Sequence, residues 1–402
     1  MGNFAFLENR WSDLARLGDL SEKYVYSDPN TSVIKQGMLA EVMVKYMLAY
    51  DGIKEPDYDN THANRIRLLK RNDLLPHEID NTLYILRKDR NNAAHNGADE
   101  GEKALSNLPL LYELCVWYMQ TYGDYDYNPV GYVPPMDITI SLDELEKENR
   151  ELEERNKTLL VELQRIQKDG KSDNARRAIA YKKAMNVKLS ESQTRELIDE
   201  QLRKVGWDAD TDKIRYSKGV RPAKGRNLAI AEWPTDSRTG NSGYADYALF
   251  IGEKMVGIIE AKKKHTNISS VLDGQCKEYA RMIKAEHEKY VLKQYGEYKV
   301  PFLFATNGRD YIKQYEEMSG IWFLDTRQQF NTSKALAGWP SPEGIEQDLE
   351  RDIAEADRKL AVTGYELLED SNGLGLRYYQ VEAVKAAEKA IAEHKNTVLL
   401  AM

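Results

Sequence analysis

Cysteine is scarce in this sequence: two occur among 402 residues, Cys115 and Cys276, with no C-x-x-C pair and no metal-ligand spacing. That excludes a disulfide framework and a structural zinc, and leaves the thiols as small buried residues. Long apolar runs are missing as well. Nothing approaches the roughly 18 apolar residues of a membrane span, and the start, MGNFAFLENRW, turns polar too soon for a secretory segment. The expectation is a soluble, cytoplasmic protein with no membrane partner. Nor is positive charge in excess. A net charge of −8 argues against wholesale coating by nucleic acid, although residues 203–226 carry eight Lys/Arg against three Asp. That local surplus suits phosphate contacts without a base code. Finally, no G-x-x-x-x-G-K-[ST] occurs, so the backbone cradle and lysine that hold ATP phosphates are not among these residues.

What is present changes texture along the chain, and the length suits two or three domains. Residues 1–128 carry helical apolar spacing, as in GMLAEVMVKYMLAY and LPLLYELCVWYMQTY, and read as an all-α domain. Residues 129–188 form a connector. YNPVGYVPPMD brings three prolines and cannot continue a helix. Beyond it Leu145, Leu152, Leu159 and Ile166 recur every seventh residue, with Leu142, Asn149, Asn156 and Leu163 at the alternate core position. This pattern fits either a short coiled coil paired with a partner helix or a solvated helical linker. Residues 189–335 turn α/β. SESQTRELIDEQLRKVGW reads as a helix capped by Ser190 and stopped by Gly206. NLAIAEW, YADYALFI, KMVGIIEA, VPFLFATN and GIWFLD read as strands, with a helix near SVLDGQCKEYARMIKAEHEKY between the third and fourth. The fold class expected is mixed α+β: an all-α domain, a helical linker and an α/β core around a mixed sheet.

The segment YADYALFIGEKMVGIIEAKKK ends an apolar strand on charge. A carboxylate and an ammonium there must be paired, metal-bound or wet. Folding the hairpin about Glu253 brings Asp246 opposite Glu260, since each lies seven residues from that centre. Like charges opposed on a sheet are destabilising unless a divalent cation sits between them. Lys262, two residues on, shares the face of Glu260.

Asp246, the hairpin and Glu260-Ala261-Lys262 resemble the PD-(D/E)xK nuclease motif, with Ala245 in place of its proline. The flanking SKGVRPAKGRNLAIAEWPT, ADYALFIG, EAKK, PFLFATNGRDY and SGIWFLDTR resemble the R subunit (HsdR) of type I restriction enzymes of the K type, and the likeness runs from DPNTSVIKQGMLAE to LRYYQVEAVKAAEKAI. The resemblance implies Mg²⁺-dependent hydrolysis of double-stranded DNA. Asp246 and Glu260 would hold the ion with the Ala261 carbonyl, and Lys262 would position the attacking water. It points to Glu191 as a further acid on the preceding helix, with Glu196 or Asp199 as alternatives. Gln275 and Tyr279 fit a Q-x-x-x-Y element for DNA contact or support, and Arg221, Lys224 and Arg226 offer phosphate contacts from the basic segment. Residues 336–402 resemble a linker and the start of a superfamily 2 helicase motor, where Gln380 would read adenine. The expectation is therefore an N-terminal portion of an R subunit, whose intact form adds ATP-driven translocation and works with specificity (S) and modification (M) subunits.

Two other readings stay open. RKDRNNAAHNG holds Arg90 and His95 as an R-x₄-H resembling helical HEPN ribonucleases, in which Arg and His cleave RNA by acid/base chemistry. Five residues at about 100° each leave them about 140° apart around one helix, so they do not stack without distortion or a partner chain. The remaining reading is a non-catalytic assembly module.

Overall fold

The structure, a computed structural model, describes residues 2–55, 59–96, 101–137, 158–236, 243–263, 266–313, 319–328, 331–351, 362, 364–370, 373–393, 395 and 399. The chain divides into two compact units, Met1–Gln193 and Thr194–Met402.

The first unit is helical. Helices α1 (Ser12–Ser27), α2 (Pro29–Tyr50), α3 (His62–Arg71), α4 (His77–Asn96) and α5 (Gly101–Tyr118) are followed by a helix described over 158–169, here α6, and by α7 (Asn174–Ala184). Asp28 separates α1 from α2: its side chain accepts from the Thr31 amide at 3.1 Å, and Pro29 fits the first helical position. Helix α2 is buried over most of its surface, from Val33 to Ala49, which explains why its sequence is apolar without a clear polar face.

The proline connector is not free. Val133 exchanges hydrogen bonds with the Asn3 side chain at 2.9 and 2.7 Å, and the Pro135 carbonyl accepts from Tyr26. Most of the heptad stretch, residues 138–157, lies outside the described residues. In α6, Leu159 is buried and Leu163 and Ile166 are half-covered, whereas Leu160 and Val161 are exposed. Leu159 and Leu163 line a cavity of about 250 Å³ together with Met38 and Val42 of α2. The described part of the seam thus borders a helix of its own unit.

The second unit is built on a mixed sheet. Among the described residues it has seven strands in the order β1 to β7: β1 (Asp208–Ala209), β2 (Asn227–Thr235), β3 (Gly243–Ile251), β4 (Lys254–Ala261), β5 (Phe302–Thr306), β6 (Ile321–Asp325) and β7 (Lys334–Leu336). Only β1–β2 and β4–β5 are parallel. The stretches Ile268–Val271, Leu272–Cys276 and Lys277–Arg281 run on as one helix, α9, with a π turn in the middle. It supplies the crossover between β4 and β5. Its Ile268, Leu272, Cys276 and Ala280 pack on Ile230, Ala248, Ile258 and Leu303. The other face buries Ala229, Tyr247, Leu249, Ile259 and Phe304 beneath α8 (Glu191–Lys204), Trp339 and α10 (Pro342–Glu350). Each large side chain so buried contributes about 1.5–3 kcal/mol.

The expected helix over 270–290 ends early. Met282 leaves helical geometry at φ −106°, ψ 39°, and a 3₁₀ turn at Ala285–Tyr290 follows, which buries His287 and Tyr290. Farther on, α11 (Tyr378–Ala392) opens with a capping box in which Gln380 Oε1 accepts from the Arg377 amide at 2.9 Å. Among the described residues no helix is long and apolar enough to cross a membrane.

One polar lock fixes α8 to the sheet. The Tyr247 hydroxyl lies 3.0 Å from the Arg195 carbonyl and 2.9 Å from Asp199 Oδ1, and Asp199 also accepts from the Thr211 amide and hydroxyl at 2.7 and 3.0 Å. Burial and the adjacent Asp199 push the Tyr247 pKa well up, so it remains a donor. Tyr247→Phe removes that donor from a buried network and is expected to lower stability by about 1–3 kcal/mol, read as a lower urea midpoint.

Candidate active site

The β3–β4 hairpin closes through Gly252, whose φ of +59° suits the tight two-residue connection between the paired Ile251 and Lys254. From there the register is Ile251↔Lys254 and Phe250↔Met255, then Leu249↔Gly257, Ala248↔Ile258 and Tyr247↔Ile259. Val256 is the unpaired residue of a β-bulge. Beyond it Gly257 lets the strands close up, for a Cβ there would meet Phe304 Cε2 at 3.1 Å and Leu249 Cδ1 at 3.2 Å. Continuing the register places Asp246 opposite Glu260, as the hairpin geometry predicts.

Both acids are buried, with 6% and 3% of their surface exposed. Asp246 Oδ2 accepts from the Ala261 amide at 2.7 Å, and Asp246 Oδ1 accepts from Arg195 Nη2. Lys262 Nζ donates to Glu260 Oε1 at 2.6 Å, and its backbone amide is held by the Thr306 carbonyl at 2.9 Å. Glu260 Oε2 is buried without a well-formed hydrogen bond. Burial first, then the Asp246 charge, pushes the Glu260 carboxyl up to about 7 despite Lys262. An uncommitted buried oxygen beside a second carboxylate is a donor set that suits a small, hard divalent cation.

Helix α9 covers this end of the sheet. Cys276 is buried and donates its thiol to the Phe304 carbonyl at 3.3 Å. Tyr279 is half-buried, and burial with the nearby Glu260 and Asp246 raises its hydroxyl to about 12. Gln275 is exposed within the π turn.

The remaining expected residues are scattered. Glu191 opens α8 within the first unit and is half-buried, while the Ser190 hydroxyl caps that helix on the Gln193 amide at 3.2 Å. Asp199 is committed to Thr211 and Tyr247, and Glu196 is buried. Among the described residues no group of three or more Asp, Glu, His or Cys is arranged to hold an ion, so the hairpin offers two carboxylates. Arg221 lies over the Tyr216 ring, 3.6 Å from its centroid, and donates to the Tyr216 and Val220 carbonyls. Arg226 pairs with Asp208 at 2.9 Å, and Lys224 is exposed. In the helical unit Arg90 pairs with Glu41 at 2.5 Å, and Arg65 joins the same carboxylate at 2.8 Å. Burial would raise Glu41, but Arg90 and Lys45 win and hold it down near 2. The His95 side chain lies outside the described residues.

Arg195 is the site residue that sequence reasoning passed over. It stands in the RELID stretch one turn before Asp199, among acids that carry the stronger sequence signal for a metal site.

The buried acid pair and the adjoining lysine thus stand on the mixed sheet of an α+β fold. Residues 208–349 match the family described as "Type I restriction enzyme EcoKI endonuclease subunit second domain". The chain is 30% identical to the type I restriction enzyme EcoKI endonuclease subunit of Escherichia coli strain K12, over 479 aligned residues that take in 100% of this chain and 40% of that subunit. It is 27% identical to the Escherichia coli EcoAI endonuclease subunit over 198 residues, 49% of this chain and 21% of that one. No solved structure gives a significant match. The whole chain thus aligns with part of an endonuclease subunit of a type I restriction enzyme, and spans about two-fifths of the EcoKI subunit's length.

Because Glu260 is raised in the folded protein, the native state keeps a proton that the unfolded chain releases between about pH 4.5 and 7. The stability this gives is full below pH 4.5 and is lost as pH rises through about 7. In EDTA, Glu260→Gln is expected to match the wild type at about pH 4 and exceed it at about pH 8 by on the order of 1–3 kcal/mol, measured by urea unfolding.

Proposed function

We propose that this chain is the DNA-cutting portion of a type I restriction enzyme R subunit and hydrolyses phosphodiester bonds of double-stranded DNA at Asp246, Glu260 and Lys262. The observation that carries the reading is the buried pair: Asp246 and Glu260 on facing strands, with Glu260 Oε2 uncommitted and Lys262 on its neighbour oxygen. Asp246, Glu260 and the Ala261 carbonyl would hold Mg²⁺, which supplies charge neutralisation at the phosphate and a more acidic water. Lys262 orients the attacking water and donates toward the charge that develops on the phosphate oxygens as the new P–O bond forms and the ester bond breaks. Tyr279 and Gln275 on α9 line the approach, with Tyr279 as a hydroxyl donor. Lys224 and the rest of the basic segment contact the phosphate backbone without reading bases.

In the intact subunit, acting in the cytoplasm, this portion would work with an ATP-driven translocase and with the S and M subunits, and recognition of the target sequence belongs to S. The RNase reading has less support, because Arg90 is committed to Glu41 within a half-buried ion network.

Asp246→Ala, Glu260→Ala and Lys262→Ala are each expected to reduce DNA cleavage by the reconstituted full-length enzyme at least a hundredfold, with ATP turnover unchanged. Loss of ATP turnover alongside cleavage would assign these residues to the fold or the motor instead.

A further inference from the structure

Glu232 stands inside β2 with a φ of +52°. That left-handed backbone is costly for any residue but glycine, and here it carries a glutamate. The ladder runs from Ala231↔Tyr247 to Trp233↔Ala245, so the strand neighbour of Glu232 is Asp246. Extending both ladders by one step brings three acids, Glu232, Asp246 and Glu260, to one level on three adjacent strands, although none of them is itself paired there.

Positive charge is distributed unevenly along that rung. Lys262 serves Glu260. Arg195 spans the other two: Nη2 donates to Asp246 Oδ1, while Nη1 lies 3.6 Å from Glu232 Oε1. Arg215 Nη1 approaches the same Glu232 oxygen at 3.3 Å. The turn of α8 that carries Arg195 is fixed by the Tyr247 hydroxyl on the Arg195 carbonyl, so the guanidinium pivots from a fixed base between two carboxylates. A cation held by Asp246 and Glu260 competes with Arg195 for Asp246, because like charges on one carboxylate repel.

We infer that Arg195 is the positioning residue of the site and Glu232 its second seat. The guanidinium aims Asp246 at the rung and, when a divalent cation takes that carboxylate, passes wholly to Glu232. The left-handed backbone keeps the Glu232 carboxylate within reach of Arg195. This inference rests on the reading of Asp246 and Glu260 as a cation site.

The test is calorimetric titration of Mn²⁺ into the intact chain at pH 7.5, with thermal midpoints in EDTA and in Mn²⁺. Arg195→Ala is expected to lower the midpoint in EDTA yet bind Mn²⁺ three- to tenfold more tightly, since the competitor is gone. Glu232→Gln is expected to bind three- to tenfold more weakly, because the displaced guanidinium loses its seat. Arg195→Lys should restore much of the midpoint, and it carries the test together with Glu232→Gln if Arg195→Ala does not fold. Asp246→Ala is the blank. A merely structural ion pair predicts a lower midpoint with Mn²⁺ affinity unchanged or weakened in Arg195→Ala, and that result overturns the exchange. Wild-type chain that shows no Asp246-dependent uptake of Mn²⁺ overturns the cation reading itself, and the exchange with it.

Discussion

The site depends on one unpaired residue. With Ile251 facing Lys254 across a two-residue turn, an unbroken ladder would set Asp246 against Ile259 and turn Glu260 to the opposite face of the sheet. Val256 adds one residue to β4, sets the register at Tyr247↔Ile259 so that its next step would bring Asp246 level with Glu260, and is itself buried in the core beneath α8. The same slip decides where Lys262 points. A hairpin that packs its apolar residues well and a hairpin that opposes two carboxylates require different registers, and the bulge reconciles them.

The second constraint is charge. Two buried carboxylates a few ångströms apart cannot both ionise cheaply. Asp246 is compensated by Arg195 and the Ala261 amide, so the excess falls on Glu260, which Lys262 only partly offsets. The fixed framework around them is apolar or locked: Cys276 on one side, and Tyr247 with Asp199 and Thr211 on the other. Such a site is held together by its surroundings and is a cost in itself, as expected where geometry serves chemistry.

Much of this was legible in the sequence, for identifiable reasons. Strands β2 to β6 announce themselves by apolar runs between polar breaks, and KMVGIIEA coincides with β4 from Lys254 to Ala261. The opposition of Asp246 and Glu260 was reached from a turn centred on Glu253, whereas the chain uses a shorter turn and a bulge whose displacements add to the same register. Strands β1 and β7 left no pattern because they are two and three residues long. The helix after β4 read as longer than it is, because residues 285–290 still carry helical spacing after Met282 has broken the backbone. Of the heptad positions in α6, Leu159 is buried and Leu163 half-covered, beside a cavity that Met38 and Val42 of α2 also line. Arg195 and Glu232 were illegible for a common reason: a lone cation in an amphipathic helix and a lone acid within a strand carry no motif until the fold brings both to Asp246.

The central claim is that the bulged hairpin turns Asp246 and Glu260 into one cation site. The most direct measurement is anomalous diffraction from crystals of this chain grown with Mn²⁺. The account predicts one peak between the two side chains, about 2.0–2.4 Å from a carboxylate oxygen of each, a range that covers Mg²⁺-like coordination. Density on Asp246 and Glu260 pointing to opposite faces of the sheet, or a Mn²⁺ peak bound elsewhere with this rung empty, would contradict it.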